Sequence, residues 1–160
     1  MSRDSSDADL PRLLLIADKF SDPRVETLVE RLVNETGLRW VQLRDHRARR
    51  ALFRGRADCM VERLVSVRSD LLVSVNSDVG LARNIGVGVH LGFRGPSVAE
   101  AREALGEDVL IGYSAQDLTE AERAAHEGAD YITFRAVFLT PSEPDHPGTG
   151  LSPLAEVCTH

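Results

Sequence analysis

The sequence predicts an α/β fold in which parallel strands alternate with helices, and it favours a (β/α) barrel over an open sheet. Short apolar runs alternate with segments of helical periodicity, which is typical of parallel strands joined by crossover helices. Polar or small residues follow nearly every apolar run, and a barrel places its functional groups at these strand ends. The turn after the first apolar run, residues 18–21, lacks the glycine-rich sequence of a dinucleotide-binding open sheet.

The first part of the chain contains two predicted strands and two predicted helices. Residues 13–17 form a continuous apolar run, which is typical of a parallel strand buried on both faces. Asp22 and Pro23 predict the start of a helix that ends at Gly37. Its apolar stripe consists of Val25, Leu28, Val29, Leu32 and Val33. The second strand is predicted at residues 39–43. The next helix, at residues 48–67, is expected to bury Leu52, Met60, Leu64 and Val67.

Four more predicted strands follow, at residues 71–75, 87–91, 109–113 and 131–134. A short helix is predicted near residues 79–83. Ser97 and Glu100 predict a capping box for a helix that ends before Gly106. Thr119 and Glu122 suggest a second capping box, for a helix that buries Leu118, Ala121 and Ala125 and stops at Gly128. A Pro- and Gly-rich loop at residues 140–150 leads into a last helix at residues 151–156.

Length and charge set broad limits on the protein. The 160 residues predict one domain over residues 11–160, preceded by a disordered tail at residues 1–10. The formal net charge of −6 argues against a general binder of nucleic acids or anionic membranes. The longest apolar runs are far too short to cross a bilayer. Because the two cysteines lack metal spacing, they predict reduced thiols in a cytoplasmic protein.

The carboxyl end of the second predicted strand carries two polar side chains. Gln42 and Arg44 lie two residues apart, so both point to one side of the strand. In a barrel that side is the interior mouth, where an arginine needs an anion. Either a bound ligand supplies it, or Arg44 pairs with a neighbouring carboxylate, Asp18 or Asp45.

Further polar groups follow other predicted strands. Asn76 can bind a ligand or cap the turn that follows it. Ser114 and Thr140 carry hydroxyl groups suited to phosphate or to a heterocycle nitrogen, and His46 can contact an anion when protonated. His90, between apolar residues, is expected to be a hydrogen-bonded core histidine. These residues alone predict a site for a small phosphorylated ligand.

Seven short segments carry a more specific signal. They are LLIAD at residues 14–18, VQLRD at 41–45, VN at 75–76, GVHLG at 88–92, GYSA at 112–115, GADYI at 128–132 and VFLTPSEPD at 137–145. In order and spacing they resemble the thiamine phosphate synthase family and its TenI-type thiazole tautomerase relatives. The resemblance runs over about residues 12–156.

The resemblance implies a TIM-type (β/α)8 barrel, of which this chain would carry about six βα units, truncated at the C-terminus. It implies a transferase of thiamine biosynthesis. That enzyme couples hydroxymethylpyrimidine diphosphate to thiazole phosphate and releases pyrophosphate, with help from Mg²⁺. The partners would therefore be small phosphorylated heterocycles.

The resemblance also implies roles by position. It assigns the diphosphate to Gln42 and Arg44, assisted by Asn76, and it places His46 among the substrate-binding residues. Ser114 would be the catalytic group beside the reacting pyrimidine. Thr140 and Ser142 would bind the thiazole phosphate.

Several positions depart from the family pattern. His46 replaces a lysine, Glu143 replaces another lysine, and Ala136 replaces the histidine of the tautomerase. The two aspartates that bind Mg²⁺ in the family correspond to Ser77 and a position near Gly95, which Phe93 and Arg94 precede. Mg²⁺ is therefore implied by the family while its usual ligands are missing, and no metal ligand is predicted.

These departures leave other interpretations open. The chain can be a catalytically eroded, TenI-like protein that binds a thiamine precursor or product without turnover. In another interpretation the chain functions only when it forms a homo-oligomer, because an open six-stranded sheet would expose the edges of its first and sixth strands.

Overall fold

The structure, a computed structural model, describes residues 10–140 and 147–159. Over these residues strands and helices alternate. The strands are β1 (Leu15–Ala17), β2 (Trp40–Leu43), β3 (Leu72–Asn76), β4 (Gly88–Gly92), β5 (Ile111–Ala115) and β6 (Tyr131–Phe134). The helices are α1 (Pro23–Thr36), α2 (Arg50–Val67), α3 (Val79–Ile85), α4 (Val98–Leu105), α5 (Leu118–His126) and α6 (Leu151–Thr159). The chain divides into two compact units, the first ending at Val73 and the second beginning at Ser74.

The first unit is built around the parallel pair β1 and β2. Ala17 pairs with Leu43, and the ladder continues for one residue because the Arg44 N–H donates to the Ala17 carbonyl at 3.1 Å. All four residues of β2 are buried, as expected for a strand of a parallel sheet. β1 differs from the prediction. It is shorter than residues 13–17, and Ile16 is 46% exposed, so the strand is not buried on both faces.

The helix α1 begins and ends where the sequence predicts. The Asp22 carboxylate accepts a hydrogen bond from the Arg24 N–H at 2.9 Å. It thereby satisfies one of the N–H groups at the start of the helix that have no partner within the helix. Pro23 occupies the first helical position, where its missing N–H costs nothing. Gly37 ends the helix with φ 71°, a left-handed conformation that glycine adopts without strain.

The buried stripe of α2 was predicted only in part. Met60 and Leu64 are buried as expected, whereas Leu52 and Val67 are 49% and 60% exposed, so those two assignments are wrong. The buried residues of the helix are Phe53, Ala57, Met60, Val61 and Leu64. This spacing is one helical stripe that starts one residue after Leu52, and a shift of one residue rotates a side chain by about 100°. In α1, Val29 and Val33 are buried, while Leu28 is half-exposed.

The second unit contains four parallel strands in the order β3, β4, β5 and β6. Because side chains alternate along a strand, the register divides them into two faces. One face is apolar, contacts α3, α4 and α5, and includes Val75, Val89, Leu91 and Ile111. The other face is polar or small and includes Ser74, Asn76, Gly88, His90, Gly92, Gly112, Ser114, Tyr131 and Thr133. We call it the polar face.

Two helix starts in the second unit tested the capping predictions. The capping box of α4 is confirmed: Glu100 N–H donates to the Ser97 hydroxyl at 3.2 Å, and Ser97 N–H donates to the Glu100 carboxylate at 2.8 Å. The predicted box of Thr119 and Glu122 is wrong. The helix α5 starts two residues earlier than that box implies, and Asp117 caps it by accepting from the Glu120 N–H at 2.8 Å. Its buried residues are Ala121 and Ala124.

A buried arginine connects the segments that precede β5 and β6 through hydrogen bonds. Arg102, on α4, is 8% exposed. Its guanidinium donates to the carbonyl groups of Gly106, Glu107, Val109 and Gly128 at 2.6 to 3.1 Å. It also pairs with the Asp130 carboxylate at 3.0 Å, and that carboxylate accepts from the Ile111 N–H at 2.6 Å. No sequence pattern predicted these contacts of Arg102, since its partners are mostly backbone carbonyls.

The alternating α/β class with parallel strand neighbours is confirmed. Apart from Leu10, the predicted N-terminal tail lies outside the described residues, and the single domain over residues 11–160 stays a prediction. Among the helices that the structure describes, none combines the length and the apolar character needed to cross a bilayer.

Candidate functional site

Arg44, in the first unit, pairs with an acidic neighbour. Its Nε donates to the Asp18 carboxylate at 3.0 Å, which is one of the two pairings left open by the sequence. The two side chains are 34% and 47% exposed. A pair so accessible to water contributes at most about 1 kcal/mol to stability. A polyanionic ligand can therefore compete with Asp18 for Arg44. Gln42, two residues earlier on β2, is 2% exposed.

Asp45 has a structural part in the same unit. Its carboxylate accepts hydrogen bonds from the N–H groups of Ser21, Arg47 and Ala48 at 3.0 to 3.1 Å. Burial alone would raise the pKa of Asp45, but these donors, with Arg47 the strongest, hold it below its ordinary value. Asp45 thus joins the loops that follow β1 and β2. His46, beside it, is exposed.

Ser114 lies in the middle of the polar face of the second unit. Ser114 is on β5, and it pairs in register with Gly92 on β4 and with Thr133 on β6. Gly92 carries no side chain, so the space on that side of Ser114 is open. Asn76 ends β3, and its amide donates to the Ser77 hydroxyl at 3.1 Å. Three predicted strand ends of this unit thus contribute polar or small groups to one face.

A tyrosine and a histidine form the base of the polar face. His90 is 7% exposed, and its Nδ1 lies 3.0 Å from the Tyr131 hydroxyl and its Nε2 lies 3.3 Å from the Thr133 hydroxyl. His90 is therefore the hydrogen-bonded core histidine that we expected. Burial raises the pKa of Tyr131 to about 12, so this hydroxyl stays protonated at neutral pH. The sequence did not single out Tyr131.

Gly112 makes the position of Tyr131 possible. The tyrosine ring lies across Gly112 to reach His90 on the next strand, with the two ring centroids 5.5 Å apart. A Cβ at position 112 would overlap that ring. A glycine inside a strand often marks such a close approach. It was the one signal in the sequence from which this contact could have been inferred.

Two arginines meet one exposed aromatic ring at the carboxyl ends of β4 and β6. The guanidinium carbon of Arg94 lies 5.0 Å from the centroid of the Phe93 ring, and that of Arg135 lies 4.9 Å from it. Both distances are within the range of a cation–π interaction. We call Phe93, Arg94 and Arg135 the Arg–Phe–Arg cluster. The sequence showed Phe93 and Arg94 only as departures from a family pattern.

The predicted residues after β6 are only partly described. Thr140 is half-buried, whereas Ser142 and Glu143 lie outside the described residues. The far end of this loop returns to the chain after β6, because Thr149 and Gly150 donate to the carbonyls of Ala136 and Val137 at 2.8 and 3.0 Å. Whether Thr140 and Ser142 come together stays a prediction.

The carboxylates near the strand ends do not fit a Mg²⁺ site. Asp18 pairs with Arg44, Asp45 accepts three backbone hydrogen bonds, and Asp78 caps α3 by accepting from the Leu81 N–H at 3.0 Å. Within residues 10–140 and 147–159, no group of three acidic, histidine or cysteine side chains could hold a metal ion. Hard cations prefer several oxygen ligands. We therefore derive no step through a protein-bound Mg²⁺.

A polar cavity of about 170 Å³ lies beside α4 and α5. Its polar groups bond to one another. Glu127 accepts from the Val98 N–H at 3.1 Å at the start of α4, and Arg123 donates to the Tyr113 hydroxyl at 3.2 Å. The polar groups that line the cavity thus already have hydrogen-bond partners within the protein, so we do not assign a ligand to it.

Comparison with known proteins points to one family. The family model for thiamine monophosphate synthase matches residues 13–160. Thiamine-phosphate synthase from Caldicellulosiruptor saccharolyticus is 33% identical over 150 residues, which are 91% of this chain and 66% of the relative. The enzyme of that name from Chlorobium phaeobacteroides is 37% identical over 135 residues, or 83% of this chain and 63% of the relative. This chain thus spans slightly less than two thirds of the length of these relatives.

A solved structure agrees with the sequence relatives. Thiamine phosphate pyrophosphorylase from Pyrococcus furiosus superposes with a TM-score of 0.70 at 28% identity, covering 90% of this chain and 67% of that one. The chain belongs to the thiamine monophosphate synthase family.

Proposed function

We propose that this chain couples hydroxymethylpyrimidine diphosphate with thiazole phosphate to give thiamine phosphate and pyrophosphate. The observation that carries the proposal is the position of Ser114 on the polar face, between Gly92 and Thr133 and above the paired His90 and Tyr131. Membership of the family and the names of the relatives support it.

In this reaction the bond from the pyrimidine methylene carbon to the diphosphate oxygen breaks, and the same carbon bonds to the thiazole nitrogen. Positive charge develops on the pyrimidine, and negative charge collects on the departing pyrophosphate. Polar groups already fixed in place lower the barrier because they need no rearrangement as this charge appears. The Ser114 hydroxyl is such a group beside the pyrimidine, where its oxygen lone pairs can stabilise the positive charge on the ring.

The remaining roles are assigned by position. We assign the diphosphate to Gln42, Arg44, His46 and Asn76. Thr140 and Ser142 are assigned to the thiazole phosphate. The partial exposure of the Arg44–Asp18 pair supports the first assignment, because an anion can reach the guanidinium.

We infer further that the fold is of the (β/α) barrel type. The strict alternation of parallel strands and helices and the likeness to a solved relative support this. We also propose a cytoplasmic location, self-association and an organisation as one domain. Gel filtration with light scattering would test self-association.

The function is tested by following thiamine phosphate formation from the two phosphorylated precursors. Replacement of Ser114 by alanine should lower kcat about a hundredfold, since it removes one fixed polar group beside the developing charge. Ser66→Ala is the matched control, because Ser66 is exposed on α2 and donates only to the Arg63 carbonyl. Equal rates for Ser114→Ala and the parent chain would show that Ser114 is not catalytic, and no product from the parent chain at high concentration would reject the function.

A second candidate is a protein that binds a thiamine precursor or product without turnover. The observation that favours it is the commitment of Asp18, Asp45 and Asp78 to structural contacts. Calorimetric titration with thiamine phosphate separates the two. Binding with no product formed from the precursors would favour the second candidate, and product formation would exclude it.

A further inference from the structure

Two hydroxyl groups start next to each other on the polar face. Ser114 on β5 and Thr133 on β6 are direct register partners, and the backbones of neighbouring strands are about 5 Å apart. Gly92, the register partner of Ser114 on β4, leaves open space beside them. Both residues are half-buried, so neither is closed off from a ligand. A ring that reaches Ser114 therefore also comes within reach of Thr133.

A buried histidine orients the Thr133 hydroxyl. The Nε2 of His90 lies 3.3 Å from that hydroxyl, and the Nδ1 of His90 lies 3.0 Å from the Tyr131 hydroxyl. A neutral imidazole carries a hydrogen on only one of its two nitrogens. His90 therefore donates in one of these contacts and accepts in the other, so the direction of one hydrogen bond determines the direction of the other.

Tyr131 determines that direction. Burial raises the pKa of Tyr131 to about 12, so its hydroxyl keeps its hydrogen at neutral pH. A phenol donates more strongly than it accepts, because the oxygen lone pairs are delocalised into the ring, whereas an imidazole nitrogen without hydrogen is a strong acceptor. We expect the Tyr131 hydroxyl to donate to Nδ1, which leaves the hydrogen of His90 on Nε2.

The Thr133 hydroxyl then has a hydrogen left to donate. Its oxygen accepts from the Nε2 of His90, and a hydroxyl that accepts in this way can still donate once. Within residues 10–140 and 147–159, His90 is the one hydrogen-bond partner of this hydroxyl. The three side chains thus present a donor on the polar face, beside Ser114.

We propose that Thr133 is a second substrate-binding residue, whose hydroxyl donates to a ring nitrogen of the pyrimidine beside Ser114. The ring nitrogens of an aminopyrimidine are acceptors, which matches a hydroxyl that is set to donate. His90 and Tyr131 act through Thr133 and are positioning residues. The identity of the ring rests on the proposed function, whereas the direction of the hydrogen bonds rests on the three side chains.

Thr133 should affect binding, whereas Ser114 should affect the rate. Positive charge develops on the pyrimidine as the bond to the diphosphate breaks, and a hydrogen bond donated to a ring nitrogen gains no strength from that charge. Loss of the Thr133 hydroxyl should therefore raise the KM for the pyrimidine substrate about tenfold, as expected for one hydrogen bond. It should leave kcat within about threefold of the unaltered chain.

Steady-state kinetics of Thr133→Val and Thr133→Ser test the contact. Valine has nearly the shape of threonine without the hydroxyl, whereas Thr133→Ser keeps the hydroxyl and should hold KM within about threefold of the unaltered chain. Thr27→Val is the matched control, because Thr27 is exposed on α1 and donates to the Pro23 carbonyl at 3.0 Å. Urea unfolding curves would show that each variant is folded. Equal KM values for Thr133→Val and Thr27→Val would overturn the proposal.

Nitrogen NMR spectra of the histidines test the direction of the hydrogen bonds without any turnover. At about pH 8 a histidine of ordinary pKa is neutral, and the chemical shifts distinguish a ring nitrogen with hydrogen from one without it. The signals of His90 are those missing from His90→Gln. We expect hydrogen on Nε2 alone, and a mixture of both neutral forms in Tyr131→Phe, which lacks the donor. Hydrogen on Nδ1 in the unaltered chain would overturn the assignment of Thr133 as a donor.

Calorimetric titration with hydroxymethylpyrimidine diphosphate alone separates this proposal from the proposed function. If Thr133→Val binds it about tenfold more weakly than Thr27→Val does, but no thiamine phosphate forms in the complete assay, the contact stands and the proposed function fails. If thiamine phosphate forms and the two variants bind equally, the function stands and the contact fails. No binding to the unaltered chain would overturn both.

Discussion

The two ends of the strands in the second unit use arginine in opposite ways. At the amino ends, Arg102 is 8% exposed and donates to four carbonyls and to the Asp130 carboxylate. At the carboxyl ends, Arg94 and Arg135 lie against the half-exposed ring of Phe93.

From this difference we expect the amino ends of the strands to serve stability and the carboxyl ends to be available for binding. A guanidinium whose two terminal nitrogens donate to backbone carbonyls and a carboxylate holds loops together and has little left for a ligand. A guanidinium oriented by an aromatic ring keeps its position while it can still face an anion. Parallel α/β folds in general place ligands at the carboxyl ends of their strands, which is the end where Arg94 and Arg135 lie.

Removal of the amino-end arginine should have the largest effect on stability. Arg102→Gln would leave the Asp130 carboxylate and several carbonyls without their donor, at a cost of about 3–5 kcal/mol in the free energy of unfolding. Urea denaturation followed by circular dichroism measures it. A decrease of less than about 1 kcal/mol in the free energy of unfolding would contradict the difference between the two ends, because Arg102 would then not stabilise the fold.

Gly112→Ala tests the middle of the same strands. The added methyl group would push the Tyr131 ring off its contact with His90, with an expected cost of about 1–3 kcal/mol. The same substitution in a Tyr131→Ala background should cost clearly less, because the ring is gone. Equal costs in both backgrounds would mean that the glycine is not there to accommodate the tyrosine.

Asp45→Asn tests a carboxyl-end residue whose role is structural. The pKa of Asp45 is lowered in the folded state, so its charge stabilises the fold above the unfolded pKa of about 3.9, and this contribution is lost as the pH falls through the folded value. We expect the variant to be about 1 kcal/mol less stable at pH 7. The difference should shrink in urea titrations below pH 4. A difference that is independent of pH would contradict this role.

The smallest effect on stability is expected for Arg94→Gln. Its guanidinium is exposed, so the free energy of unfolding should change by no more than about 0.5 kcal/mol. This is the same chemical change as Arg102→Gln at the other end of the strands. Parallel urea curves for the two variants compare the ends directly, and similar losses would remove the distinction between them.

Most of the fold could be predicted because its signals are local. Asp22 with Pro23, Gly37, and the Ser97–Glu100 pair mark helix ends within a few residues of sequence. The start of α5 was missed because Asp117 and Thr119 are each followed three residues later by a glutamate, and only the position of the preceding strand decides between them.

The site was harder to predict because its contacts are not local. The strand-end positions of Ser114 and Asn76 follow from the apolar runs before them. The Arg–Phe–Arg cluster joins residues after β4 and β6, which lie on either side of β5. The choice of Asp18 over Asp45 as partner of Arg44 likewise depends on which carboxylate the backbone has already taken.

The most direct test of the account is the rate of thiamine phosphate formation from the two phosphorylated precursors, compared between the unaltered chain and Ser114→Ala. The account predicts product from the unaltered chain and a rate about a hundredfold lower for the variant. Equal rates for the two chains would contradict the role of Ser114, and no product from the unaltered chain would contradict the proposed function.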